Sequence, residues 1–149
     1  LGSRGLGDVY KRQMKTIESI YRLKKYYGGG SDIHTGSFFN SGITSFSEKE
    51  LASLLAASSP DEVLELLKKT RYGKYLPAGD MVIERKTAIM QLRINEKQLR
   101  YSTHPETVFL SYVGIMENEM QNVTHIIEGI RYSLPPEEIM KYLIKSDDK

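Results

Sequence analysis

Apolar positions along the chain recur at steps of three and four, and no sustained run alternates at steps of two with β-branched enrichment. Steps of three and four gather apolar side chains on one face of a helix, so the pattern predicts helices throughout. From Met14 to Tyr27, the residues Ile17, Ile20, Tyr21 and Tyr27 fall near one face, while Lys15, Arg22 and Lys25 lie mostly off it. Gly28-Gly29-Gly30 ends that helix, because glycine takes the left-handed conformation at little cost. Ser31–Phe46 is turn-rich, with Phe38, Phe39 and Ile43 expected to anchor it in a core.

Two short helices come next, each with its own start signal. Ser47 and Glu50 have the spacing of a capping box, ahead of Leu51, Leu54 and Leu55. Ser59-Pro60-Asp61-Glu62 places a hydroxyl at the N-cap, proline at the first helical position and acids in the first turn. Val63, Leu64, Leu66 and Leu67 supply the apolar side of this second helix, and Lys68, Lys69 and Arg71 suit its negative end. Gly73 and Pro77 interrupt the chain around Tyr72–Leu76.

Asp80–Tyr101 is predicted as a longer helix carrying Val82, Ile89, Leu92 and Leu99. Pro105–Tyr132 is the longest, a rod on the order of 40 Å at about 1.5 Å per residue. Its Phe109, Tyr112, Met116, Met120, Val123, Ile127 and Ile130 form a bundle seam. Leu134-Pro135-Pro136 forces a turn, since a residue before proline avoids the helical region. A last helix starts at Glu137 and Glu138 and packs through Ile139, Met140, Tyr142 and Leu143. The expectation is an all-α protein, an antiparallel bundle of about six helices.

Composition narrows the function classes. The chain has 149 residues, 40% apolar and 27% charged, which is ordinary globular composition. It has no cysteine, which excludes disulfides, thiolate metal sites and a cysteine nucleophile. No run approaches the ~18–20 apolar residues of a membrane span.

Leu1–Gln13 differs in character from the rest of the chain. It holds three glycines, no amphipathic period and no apolar stretch of the secretory type. It is expected to be adaptor- or vector-derived, or disordered, with residues 14–149 forming the protein proper. The segment carries three bases (Arg4, Lys11, Arg12) and one acid (Asp8), which accounts for the whole formal charge of +2. The remaining residues are neutral in sum, so charge points to no acidic partner.

Catalytic constellations are sparse. His34, His104 and His125 share no ligand spacing. The triple glycine lacks the Gly-Lys-Ser/Thr of a phosphate loop, and Gly73-Lys74 is followed by Tyr75. Asn122-Val123-Thr124 matches a glycosylation acceptor but lies mid-helix. The basic residues Arg71, Lys74, Arg85, Lys86, Arg93, Lys97 and Arg100 are interleaved with acids and form no nucleic-acid stripe, so a solvated helix face is expected. Glu119 falls on the flank of the long seam. Two roles are open to it: an edge glutamate with its stem packed and its head wet, or an ion pair to another element or subunit, with Asn122 one turn on sharing the network.

The last two helices carry a more specific pattern. His104-Pro105-Glu106-Thr107-Val108-Phe109-Leu110-Ser111-Tyr112, then Glu117-Asn118-Glu119-Met120-Gln121-Asn122-Val123, then Leu134-Pro135-Pro136-Glu137-Glu138-Ile139, resembles the C-terminal signature of the C subunit of V-type (V/A-type) ATP synthases, whose eukaryotic V-ATPase counterpart is the d subunit. Leu64–Leu76, with Thr70-Arg71-Tyr72-Gly73 at its centre, resembles that family's Leu-Leu-x-x-Thr-x-Tyr-Gly segment. Ile20-Tyr21-Arg22-Leu23-Lys24 and the Phe38–Phe46 loop also fit. Thr124 stands where the family has arginine, and His104 where glycine is usual.

The resemblance implies part of a funnel of three related helical domains. It implies a non-catalytic rotor subunit, with no cofactor, metal or small-molecule substrate, peripheral on the cytoplasmic face of a membrane. The implied partners are the proteolipid (c/K) ring and the central stalk, not nucleic acid. The candidate structural or interface residues are Tyr72, Gly73, Tyr112, Glu119, Asn122, Pro135 and Glu138. On the residues alone, a generic helical adaptor and a helical enzyme using Glu119 with a histidine remain alternatives.

Overall fold

Ser47 accepts a hydrogen bond on its Oγ from the Glu50 amide at 3.2 Å, and its own amide donates to Glu50 Oε2 at 2.8 Å. This reciprocal cap starts one of six helices in the computed structural model, which describes residues 3–27 and 46–147. The helices are α1 (Ser3–Tyr27), α2 (Glu48–Ala56), α3 (Pro60–Lys69), α4 (Ile83–Tyr101), α5 (Pro105–Arg131) and α6 (Pro136–Tyr142). One 3-10 turn, Gly73–Tyr75, comes after α3, and no strand occurs among the described residues. The all-α expectation holds. The expected glycine stop at Gly28–Gly30 and the anchors Phe38, Phe39 and Ile43 lie outside the described residues.

The start signals act as the sequence predicts. Ser59 Oγ accepts from the Glu62 amide at 3.2 Å with Pro60 at the first helical position of α3. The cap bonds hold the Glu50 carboxyl below its ordinary pKa, since the Ser47 amide and hydroxyl favour the charged form.

Two helix boundaries differ from the pattern. The first helix begins at Ser3, not Met14. Glycine costs a helix only about 1 kcal/mol, and packing of the residues after it overrides so small a preference. The fourth helix begins at Ile83, not Asp80; Val82 is its N-cap and is exposed. A cap residue leaves the helical backbone conformation, so its side chain drops out of the apolar face.

The core lies where α1, α2, α3 and the first two-thirds of α4 meet. Ile17, Ile20, Leu54, Val63, Leu67 and Met90 are almost wholly removed from solvent. Each such side chain stabilises the fold by roughly 1.5–3 kcal/mol through loss of apolar surface. Phe46 and Tyr72 close one end of this core, their rings edge to face at 5.3 Å. Arg22 of α1 pairs with Glu84 of α4 at the surface, and the pair holds the Glu84 carboxyl below its ordinary range.

α4 packs against both α5 and α1, which also touch each other. It carries eight buried residues over its length. Three are polar or charged, Thr87 among them. Lys86 is buried, with Nζ donating to the Gly79 carbonyl at 2.7 Å, and burial pushes its pKa down. Asn95 is buried where α4 meets α5.

α5 inverts the expected seam. Its buried residues are Thr107, Ser111 and Gly129, not the large apolar ones. Small side chains let α5 approach α4 closely. A Cβ on Gly114 would stand 2.3 Å from the Asn95 amide nitrogen. The large stripe of α5 faces away from α4 and out of the described residues.

Candidate interface on α5 and the segment after α6

The outward stripe of α5 is more regular than its largest residues alone suggest. Phe109, Val113, Met116, Met120, Val123, Ile127 and Ile130 alternate steps of four and three without a break, the a/d spacing of three heptads. Phe109 is 65% exposed, Met120 68% and Ile130 66%. An apolar stripe of this length, open to solvent, marks a surface built for contact with another element.

Tyr112 and Glu119 flank the stripe. Tyr112 is half exposed, and Glu119 is exposed with no ion-pair partner among the described residues. Its neighbour Glu117 is bound instead, by Lys11 of α1 at 2.9 Å. Asn122 lies on a different face, toward the segment after α6, and so shares no network with Glu119.

α5 ends in a tight reversal. Leu134 N–H donates to Gly129 C=O at 2.9 Å and Ser133 N–H to Ile130 C=O at 3.0 Å. These are the two bonds of a Schellman motif, with Ser133 in the left-handed region at φ 55°. Pro135 caps α6 and accepts from the amides of Glu138 and Ile139. The Glu138 side chain is exposed, so the Glu-Glu pair acts as first-turn charge at a helix N-terminus. Ile139 packs onto Gly129, where a Cβ would lie 2.5 Å from Ile139 Cγ1. Of the four apolar residues expected to pack here, Ile139 and Leu143 are buried, while Met140 and Tyr142 are exposed.

The segment beyond α6, extended at Leu143 and turning at Ser146–Asp147, lies against α4 and α5. Asn122 holds it through both halves of its side-chain amide: Nδ2 donates to Ile144 C=O at 2.9 Å, and Ile144 N–H donates to Oδ1 at 2.9 Å. Asn118 Nδ2 adds a longer bond to the same carbonyl at 3.3 Å. From α4, Arg85 donates to the carbonyls of Lys141 at 2.5 Å and Leu143 at 2.8 Å. Arg93 donates to the Ser146 carbonyl at 2.8 Å and the Tyr75 carbonyl at 3.0 Å.

These contacts correct the expectation of a solvated basic face on α4. Arg85, Lys86 and Arg93 are backbone-carbonyl ligands, which charge interleaving could not reveal. The available signal was positional: Asn118 and Asn122 lie one turn apart, off the apolar stripe.

Tyr72 and Gly73 serve the core side of the molecule. Tyr72 is buried against Phe46. A Cβ on Gly73 would lie 2.1 Å from the Lys68 carbonyl oxygen, so the Tyr-Gly pair closes α3 where no side chain fits. Among the described residues, no three His, Asp or Glu side chains gather as a metal-holding group. His104 and His125 stand apart at exposed positions, and His34 lies outside the described residues. No helix among the described residues is long and apolar enough to cross a membrane.

The sequence is similar to that of known proteins. The family described as ATP synthase (C/AC39) subunit matches residues 13–142. The A-type ATP synthase C subunit of Haloferax volcanii is 30% identical over 124 residues, covering 77% of this chain and 35% of the relative. The chain thus spans about a third of the length of that curated relative. No solved structure matches it. The family match runs from the buried Gln13 through α6, taking in the whole core and all of α5, and the chain belongs to the ATP synthase (C/AC39) subunit family.

Proposed function

We propose that this chain is part of the non-catalytic rotor subunit of a V/A-type ATPase or ATP synthase, the piece that joins the central stalk to the membrane proteolipid ring. The match across residues 13–142 carries the reading. The structure supplies a physical basis for it. A coupling element must transmit torque without bending, and α5 is 27 residues long, braced by α4 along one side. It must also bind neighbours, and the heptad stripe beside Tyr112 and Glu119 is a surface suited to that. The subunit acts at the cytoplasmic face as a peripheral component, supporting rotation-driven proton or sodium transport.

The chain is read as the C-terminal part of a larger three-domain helical funnel, and Leu1–Gln13 as foreign to it. The start of the family match at residue 13 supports the second point.

The test is co-purification. Tagged chain, in forms starting at Leu1 and at Gln13, is expected to bring down proteolipid and stalk proteins from membranes that carry the complex. Depleting the parent subunit is expected to abolish ATP-driven ion transport while ATP hydrolysis by the catalytic head persists. Recovery of neither proteolipid nor stalk, or retained transport after depletion, sinks the rotor reading. Loss of capture only on removing residues 1–12 sinks the assignment of that segment as foreign.

A further inference from the structure

We propose that the groove between α4 and α5 is a receptor for non-helical peptide backbone, and that Leu143–Ser146 is its detachable occupant, a latch holding α6 onto both helices. Such a latch is independent of the rotor reading.

The contacts have one feature in common. Arg85, Arg93, Asn118 and Asn122 all bind backbone atoms of the segment, and none of these bonds reaches a side chain of it. A segment outside helix and sheet has amides and carbonyls that need partners. Here helix side chains take the place of a neighbouring strand. The Asn122 amide presents a donor and an acceptor together, so it satisfies both the C=O and the N–H of Ile144 as a paired strand would. The arginines supply charged, two-pronged donors of the stronger kind. Recognition of this kind reads the direction and register of a backbone and is nearly indifferent to its sequence.

One side chain provides selectivity. Leu143 is buried, whereas Ile144, Lys145 and Ser146 are only part-covered. A segment held by five hydrogen bonds and one buried anchor opens locally, without unfolding a core built from α1 to α4. The receptor is therefore specified as binding a chain that presents a leucine-like residue followed by a free amide.

The experiment uses the chain shortened to end at Tyr142, with its helicity checked by circular dichroism. An acetylated peptide of residues 143–147 is titrated in and read by the Asn122 side-chain amide resonances. Saturable binding is expected. N-methylation of the Ile144 nitrogen, or Leu143→Asp in the peptide, is expected to weaken it at least tenfold, and Lys145→Ala by less than threefold. No saturable binding to folded shortened chain, or equal binding of the N-methyl peptide, overturns the proposal.

Amide exchange in the full chain decides the matter if the shortened chain fails to fold. The Ile144 amide is expected to exchange faster than that of Ile94 in the core. Asn122→Ala is expected to speed Ile144 exchange at least tenfold while leaving Ile94 unchanged. Equal rates for Ile144 and Ile94 in the unmodified chain would mean that the segment opens only with the whole fold, and would overturn the latch.

Discussion

Gly114 of α5 and the Asn95 amide of α4 occupy adjoining space so tightly that a Cβ on Gly114 would lie 2.3 Å from Asn95 Nδ2. This contact sets the distance between α4 and α5, the two helices that form the latch groove. Thr107 and Ser111 extend the same small stripe toward the start of α5.

Gly114→Leu should therefore separate the helices. Asn95 is buried and cannot swing into solvent without moving α5. Overpacking of this kind costs about 1–3 kcal/mol. Urea unfolding is expected to show a lower midpoint with an unchanged slope. A variant as stable as the parent chain would mean that the helices do not rely on this approach.

Ser133→Gly should act in the opposite sense. Ser133 sits at φ 55°, in the left-handed region where a non-glycine residue costs about 1–2 kcal/mol. Its amide bond to Ile130 is a backbone contact and survives the change. A gain of up to about 1 kcal/mol is expected, or roughly 2–4 °C in melting temperature for a chain of this size. A fall in melting temperature would show that the serine hydroxyl matters more than its backbone strain.

The Arg22–Glu84 pair makes a pH-dependent tie between α1 and α4. Its guanidinium holds the Glu84 carboxyl below the ordinary value of 4.5 in the folded chain. A carboxyl depressed on folding adds stability above the unfolded pKa, and that stability is lost as pH falls through the folded pKa. Glu50 shifts in the same direction through its cap. Glu84→Gln should leave part of the acid loss in place, due to Glu50, and remove the part due to Glu84. Urea midpoints at pH 7 and pH 3 measure this: the difference should be smaller in the variant, and the pH 7 value less sensitive to salt. An identical pH difference in both chains would assign the acid limb elsewhere.

The legible parts of this fold are those governed by short-range chemistry. Ser47 with Glu50, Ser59 with Pro60, and the Pro135 turn depend on residues within four positions of one another, so their outcome is written locally. Helix existence comes from periodicity in the same way. The orientation of α5 does not. Periodicity identifies the Phe109–Ile130 stripe, but it cannot say whether that stripe meets α4 or faces away. The decision belongs to the small stripe of Thr107, Ser111 and Gly114, whose value depends on a partner distant in sequence. The backbone ligands Arg85, Arg93 and Asn122 were hidden for a similar reason. Their partners after α6 lie 22 or more residues away, and a carbonyl leaves no mark in the amino-acid string. Glu119 was legible as a flanking carboxylate, though its opposite charge is absent from the described residues.

The outward stripe makes a prediction about solution behaviour. Three heptads of exposed Phe, Val, Met and Ile form a surface able to pair with any helix of matching period, including another copy. The isolated chain is expected to associate as its concentration rises, read by sedimentation velocity. Met120→Lys with Val123→Lys places charge at the centre of the stripe, on side chains that are 68% and 53% exposed and contribute little to the fold. The double variant should therefore remain monomeric at concentrations where the parent associates, with a melting temperature within a few degrees of the parent's at low concentration. It should also lose stalk or ring capture if those partners use this face. Should the parent instead remain monomeric with a sharp, concentration-independent melt, the stripe would not be an open interface, and its heptad spacing would have to be satisfied within the chain.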